Sequence, residues 1–185
     1  MDFLLQGAGV FIYPLGLCSV IALYVILERL ISLRISNVVP NELASSLLSG
    51  DLKKCDINGN SSLGRIVRFF YDNNPDSDEL KSFARLEMIR LERGMFLLDA
   101  SISAAPLLGL LGTVAGLVSV FSSESAPTQE AISRGVGLAL STTVLGLLIA
   151  IPAIVGSLFL YRKIDTLCAR LDVCAERLVK MCGKK

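Results

Sequence analysis

Residues 135–161 read GVGLALSTTVLGLLIAIPAIVGSLFLY and contain no Asp, Glu, Lys or Arg over 27 positions. Two other stretches, 3–27 and 100–123, are free of these residues over 25 and 24 positions. About 20 apolar residues suffice to cross the roughly 30 Å hydrocarbon core of a bilayer. The pattern therefore predicts an all-α integral membrane protein with three transmembrane helices, at about 5–27, 100–123 and 135–161.

A soluble fold and a cleaved signal peptide are the two alternatives to this interpretation. A soluble protein could bury one such stretch, but three in 185 residues leave too little other chain to cover them. A signal peptide begins with positive charge, whereas this chain begins with Met1 and Asp2, and its long apolar stretch ends at Glu28. We expect residues 1–185 to form a single membrane domain that retains the first helix.

Lys and Arg are distributed unevenly between the segments that flank these stretches. Residues 28–99 carry ten of the eighteen and residues 162–185 carry seven, whereas residues 124–134 carry one. Positively charged flanks remain in the cytoplasm. The distribution predicts cytoplasmic segments at 28–99 and 162–185, a short external link at 124–134, an external amino terminus and a cytoplasmic carboxyl terminus.

The composition argues against several classes of function. A net charge of +1 suggests no nucleic-acid partner, and the absence of histidine removes the commonest general base and metal ligand. The five cysteines are odd in number and lie on the reducing side or in the membrane, which favours free thiols without zinc-ligand spacing. We expect no metal, no cofactor and no enzymatic activity, because no cluster combines a nucleophile, a base and an orienting group.

The first cytoplasmic segment contains signals for several helices. Two short helices fit at about 41–48 and 62–71, between runs rich in Gly, Asn and Pro. Asp76, followed three residues later by Glu79, makes a plausible capping pair. We expect the helix that begins there to continue into the second span, interrupted at most near Pro106.

Apolar residues after the third span recur every three or four positions, which is a heptad-like seam. They are Ile164, Leu167, Leu171, Cys174, Leu178 and Met181. An amphipathic helix lying on the inner leaflet is one interpretation of this pattern, and a disordered tail fits it poorly. The preferred prediction is that the third span extends into the cytoplasm as a helix that packs against the helix before the second span or against other subunits.

Small residues form a stripe along one face of the second span and of the third. The stripes contain Ala105, Gly109, Gly112, Thr113, Gly116 and Ser119, and Ala139, Thr143, Gly146, Ala150, Ala153 and Ser157. Small side chains let helices approach closely in lipid, where apolar area gives no drive to associate. We assign to helix packing and partner contact the residues Gly109, Gly112, Gly116, Ala139, Gly146, Ala150 and Pro152.

Thr113 and Thr143 are predicted to lie near the middle of the membrane on these two faces. Their hydroxyls could bond back to their own helices or could serve an ion or a polar group of a partner. No span, at the bounds given above, contains a carboxylate, an amine or a guanidinium group, although ion-coupled transport usually requires one. If this chain helps to move protons, the titrating group must therefore belong to another chain.

Three stretches of the sequence are distinctive: APLLGLLGTVAGL at 105–117, STTVLGLLIAIPA at 141–153, and ERL at 28–30, which closes the first span. Together they resemble the MotA/TolQ/ExbB proton channel family. Three spans, rather than four, favour the TolQ/ExbB-like branch over the flagellar one. One position departs from the pattern: Leu138 stands where many TolQ- and ExbB-like members carry a glutamate, five residues before the threonine.

The resemblance implies a homopentamer in the bacterial inner membrane, with the external link in the periplasm. Its second and third helices would line a pore that holds two copies of a single-span ExbD/TolR-like partner. An aspartate of that partner would carry the proton past Thr113 and Thr143. The implied function is a stator subunit of an ion-driven motor that energises envelope processes such as TonB-dependent import or Tol-type function. A structural scaffold without ion coupling and a flagellar or gliding stator are the alternatives.

Overall fold

The computed structural model describes residues 9–49, 61–122 and 129–182. Within these ranges every regular element is a helix, which confirms the predicted all-α fold. A short 3-10 turn (Gly9–Phe11) is followed by α1 (Ile12–Ser32), α2 (Ile35–Val38), α3 (Asn41–Ser49), α4 (Ser62–Asn73), α5 (Ser77–Leu91), α6 (Met95–Phe121) and α7 (Gln129–Cys182).

Three helical segments of the described chain are long and apolar enough to cross a membrane, as predicted. They are Ile12–Ser32, Ser77–Val118 and Gly135–Met181. Pro14 lies in the first turn of α1, where a backbone N–H has no partner within the helix, so that its ring costs little. The predicted start of the first span, at about residue 5, lies outside the described residues.

The contacts divide the chain into two compact units. The span unit comprises Met1–Leu27 and Gly94–Leu158, and the charged unit comprises Glu28–Arg93 and Phe159–Lys185. The core of the span unit is built from α1, α6 and α7, with Leu15, Ala105 and Ala150 buried together. The charged unit has an aliphatic core whose largest fully buried side chains include Leu33, Leu47, Leu63, Ile66, Leu80, Leu160, Ile164, Leu167 and Leu171.

The prediction of one continuous helix into the second span is wrong. The helix α5 ends at Leu91, and α6 begins at Met95 after a turn in which Gly94 adopts a left-handed conformation with φ 86°. Glycine takes this conformation at no steric cost because it has no Cβ. Pro106 is the one position near which the sequence predicted a possible interruption of the helix. It lies inside α6, which continues through it.

The helices α4 and α5 form a hairpin within the charged unit. The bounds of α4, Ser62–Asn73, are close to those predicted for the second short helix, at about 62–71. Phe69 and Phe83 stack across the hairpin with ring centroids 4.2 Å apart. The capping pair is confirmed: the Asp76 carboxylate accepts from the N–H of Ser77 at 2.7 Å, and Glu79 accepts from the N–H of Asp76 at 3.3 Å. The four-residue helix α2, which precedes the predicted first short helix, was not foreseen.

The helix α7 runs without a break over 54 residues, from Gln129 to Cys182. The predicted extension of the third span is therefore confirmed, and neither a separate leaflet-bound helix nor a disordered tail describes this part of the chain. The seam residues Ile164, Leu167, Leu171, Cys174 and Leu178 are buried. The seam is consequently part of the core of the charged unit.

Candidate functional site: the contact between α6 and α7

Within the span unit, α6 and α7 approach each other through their small residues. A methyl group at Gly146 would lie 2.6 Å from the carbonyl oxygen of Ala105, and one at Gly116 would lie 3.0 Å from the Cβ of Ala139. Such distances are shorter than van der Waals contact, so the glycines permit a backbone separation that no larger residue would allow. The two stripes predicted from the sequence therefore meet within one chain.

The middle of this contact is occupied by a glycine pair on α6 and a threonine pair on α7. A methyl group at Gly109 would lie 2.9 Å from the backbone oxygen of Thr142 and 3.0 Å from the Cα of Thr143. A methyl group at Gly112 would lie 2.7 Å from the hydroxyl oxygen of Thr142. The two hydroxyl-bearing residues of α7 thus pack directly on the glycine face of α6.

The hydroxyl of Thr143 donates across the contact to the carbonyl oxygen of Gly109, at 3.2 Å. The neighbouring hydroxyl of Thr142 lies 2.7 Å from the carbonyl oxygen of Ala139 and 3.1 Å from that of Gly109. A hydroxyl has one proton to donate and two lone pairs that accept. Thr143, which is half-buried, therefore uses its proton within the chain and retains accepting capacity.

Thr113 lies one turn beyond Gly109 on α6 and is half-buried. Its hydroxyl donates to the carbonyl oxygen of Leu110 in the same helix, at 2.6 Å. A hydroxyl that bonds back to its own helix in this way is the first of the two alternatives that the sequence left open for the threonines. The structure thus places Thr143 on Gly109 of the opposite helix, with Thr113 one turn further along α6.

Thr142, with 1 % of its surface exposed, is the member of this site that the sequence prediction missed. A signal was available: a face containing Ala139, Thr142 and Gly146 has spacings of three and four, as a helical stripe requires. A face containing Ala139, Thr143 and Gly146 has spacings of four and three, which fit a helical stripe equally well. Periodicity alone could not choose between two adjacent threonines, and both contact α6.

The remaining residues assigned to packing occupy different environments. Ala150 is buried against Leu15 and Ala105 in the core of the span unit. Pro152 is exposed on α7 and does not interrupt this helix. Leu138 is a helical residue of α7 whose side chain lies outside the described part of the structure.

One carboxylate lies nearer to this contact than the sequence suggested. Asp99 belongs to the second turn of α6, and its Oδ1 accepts a hydrogen bond from the buried hydroxyl of Ser157 on α7, at 3.4 Å. From the sequence, Asp99 was expected just before the second span because the uncharged stretch begins at Ala100.

The described residues contain no group of three or more His, Cys, Asp or Glu side chains that could hold a metal ion. Cys18, Cys168 and Cys174 are free thiols. Around Gly109, Thr142 and Thr143, the polar groups at the contact between α6 and α7 are hydroxyls and backbone carbonyls.

Comparison with known proteins links this arrangement to a family. The family model described as the MotA/TolQ/ExbB proton channel family matches residues 62–173, which include α4 to α6 and most of α7. A biopolymer transport protein exbB1 of Vibrio cholerae is 28% identical over 90% of this chain and 82% of its own length.

Two further relatives carry similar names. An ExbB-like protein of Synechocystis is 34% identical over 83% of this chain and 67% of its own length. The biopolymer transport protein ExbB of Aquifex aeolicus is 34% identical over 54% of this chain and 68% of its own length. With its three membrane-competent helical segments, the chain therefore belongs to the ExbB-like branch of the MotA/TolQ/ExbB proton channel family and is a multi-pass protein of the inner membrane.

Proposed function

We propose that this chain is the channel and stator subunit of a motor complex driven by the proton motive force, and that it energises biopolymer transport or a related envelope process. Family membership and the names of its relatives support this class of function rather than an enzymatic one. The observation that carries the proposal is a pair of hydroxyls, Thr113 and Thr143, on tightly packed helices that lack any charged side chain at 100–121 and 135–161.

The hydrogen bonds of these threonines suit a particular role. Thr143 donates to Gly109, and Thr113 donates to Leu110, so both hydroxyl protons are used within the chain. Each oxygen can still accept a hydrogen bond. The partner best matched to two accepting oxygens is a protonated carboxyl group, which carries its proton as a neutral donor and avoids the cost of an unpaired charge in the membrane.

That carboxyl group must come from a second protein. Asp99 precedes Thr113 by 14 positions on α6, which corresponds to roughly 21 Å along the helix axis. A proton could not pass directly between groups that far apart. We propose that an aspartate on a single-span ExbD/TolR-like partner supplies the titrating group, and that two copies of this partner occupy the pore of a homopentamer.

The apolar faces of α6 and α7 support an assembly in the membrane. Leu110 and Val114 on α6, and Val144 and Leu148 on α7, are exposed in the single chain because the small-residue stripes face each other. In the membrane such faces contact lipid or neighbouring copies. We propose that part of this surface joins the subunits, since the glycine stripe is already occupied within the chain.

Native mass spectrometry of the chain purified with its single-span partner tests this assembly. The expected result is a complex of five copies of this chain with two copies of the partner, retained in mild detergent. A chain that stays monomeric, with no partner bound, would contradict the proposal.

We also propose that the charged unit lies in the cytoplasm and the link at 124–134 lies in the periplasm, as the distribution of Lys and Arg indicates. Single cysteines at positions 126 and 58, each in a cysteine-free variant, test this orientation. A membrane-impermeant thiol reagent applied to cells with a permeable outer membrane should label position 126 only. Labelling of position 58 without opening the inner membrane would reverse the orientation.

A further inference from the structure

A cavity of about 650 Å3 lies within the charged unit. Its wall is formed by the end of α1, by α2, by the start of α4 and by the end of α5. The volume falls within the range of about 300 to 1,000 Å3 that small-molecule sites occupy. The polar groups of the wall include the guanidinium groups of Arg29, Arg65 and Arg90 and the hydroxyls of Ser36, Ser61 and Ser62.

A buried carboxylate on α5 holds two of the three guanidinium groups in place. Glu87 has 0 % of its side chain exposed, and its Oε2 accepts from Nε and Nη2 of Arg65 at 2.9 and 2.6 Å. Its other oxygen accepts from Arg90. Arg65 also donates to the hydroxyl of Ser62, at 3.2 Å. This network fixes both arginines at the cavity wall and so reduces the entropy that a ligand would have to freeze out.

The third guanidinium group, that of Arg29, is less well satisfied. Its side chain is only 12 % exposed, and its Nε is a buried donor that makes no hydrogen bond within the described residues. A Glu28 carboxylate oxygen lies 2.9 Å from this nitrogen but out of line for a hydrogen bond. A buried donor without an acceptor is costly, and a ligand that supplies the acceptor gains what the free protein lacks.

The charges at this cavity do not balance. The three guanidinium groups are accompanied by two carboxylates, Glu28 and Glu87, which leaves an excess of one positive charge. Guanidinium groups bind phosphate oxygens through paired, charge-assisted hydrogen bonds. The amino-terminal end of the 12-residue α4, at Ser61 and Ser62, adds a partial positive charge of the same sign.

We propose that this cavity binds a phosphate group, provided by the headgroup of an anionic phospholipid or by free phosphate. Arg29 and Ser32 belong to the last turn of α1, which is long and apolar enough to cross a membrane. The end of a helix that crosses the hydrocarbon core lies near the depth of the lipid headgroups. The inference does not depend on ion coupling, and its test is independent of proton flux.

The test uses the full chain in its purified assembly, delipidated in a neutral detergent. Native mass spectrometry would follow binding of phosphatidylglycerol and, separately, of phosphatidylcholine, whose choline neutralises the phosphate. We expect phosphatidylglycerol to bind about tenfold more tightly, and we expect Arg29→Gln to weaken it about tenfold through loss of a charge-assisted bond. Arg29→Lys keeps the positive charge but loses the paired N–H donors of the guanidinium group, and it should give an intermediate affinity. An intermediate affinity would show that the loss in Arg29→Gln does not come from misfolding.

The control is Arg68→Gln, because Arg68 is an exposed arginine on α4 that pairs with Asp72 and does not line the cavity. Inorganic phosphate at millimolar concentration distinguishes the sources. If phosphate displaces phosphatidylglycerol, the site accepts the group from either source. If it does not, the headgroup of the lipid is the ligand. Equal binding of the two lipids, or equal loss in Arg68→Gln and Arg29→Gln, would overturn the proposal.

Discussion

Replacing Thr143 by valine is expected to reduce ion-driven function severely while the complex still assembles. Valine keeps the shape of threonine but removes the hydroxyl that donates to Gly109 and, in the proposed mechanism, accepts from a protonated carboxyl group. An unmatched polar group in a water-poor site costs about 1 to 3 kcal/mol, which corresponds to a loss in rate of roughly 5- to 150-fold. The measurement is proton flux through the complex reconstituted with its partner.

Two matched variants make this result specific. Thr166→Val changes an exposed threonine of the same helix, whose hydroxyl donates to the carbonyl of Arg162, and should leave flux unchanged. Thr142→Val removes the fully buried hydroxyl that packs on Gly112 and should lower stability more than Thr143→Val does. Normal flux in Thr143→Val would contradict this role and would return the threonine to helix packing.

Replacing Gly146 by alanine is expected to destabilise the chain, although alanine is the better helix former. The added methyl group would lie 2.6 Å from the carbonyl oxygen of Ala105, a backbone atom that can move only if α6 and α7 separate. Overpacking of this kind costs about 1 to 3 kcal/mol. The midpoint of thermal unfolding in detergent should fall by roughly 2 to 12 °C.

Gly137 on the same helix provides the control. A methyl group there would meet nothing within 4 Å, so Gly137→Ala should be neutral or should stabilise the helix by up to about 1 kcal/mol. The two substitutions are chemically identical, and the prediction is that only Gly146→Ala lowers the unfolding midpoint. A fall of similar size in both variants would mean that the close contact between α6 and α7 does not limit stability.

The features that depend on local sequence could be predicted well. Uninterrupted apolar stretches located the three membrane-competent segments, because the requirement for about 20 uncharged residues leaves few alternatives. The pair Asp76 and Glu79 located the start of α5, because both partners of a capping box lie within four residues of each other. The seam from Ile164 to Leu178 predicted the extension of α7, because a sustained apolar face has to be covered.

The features that depend on how helices meet could not be predicted. The break at Gly94 requires a positive φ, which glycine permits but does not impose, and Pro106 looked the stronger interruption. The stripes containing Gly109 and Gly146 indicated close packing without naming the partner helix, which proved to belong to the same chain. The ion pair between Glu87 and Arg65 could not be predicted, because the two residues meet only when α4 and α5 form their hairpin.

The most direct test of the proposed channel is proton flux in liposomes that contain the chain alone, compared with liposomes that contain the chain and its single-span partner. We predict that the chain alone does not dissipate a pH gradient above background, because no side chain at 100–121 or 135–161 titrates near neutral pH. Addition of the partner should produce flux that is lost when the partner's aspartate is replaced by asparagine. Robust flux through the chain alone would contradict the central claim, since the conducting group would then have to lie in this chain.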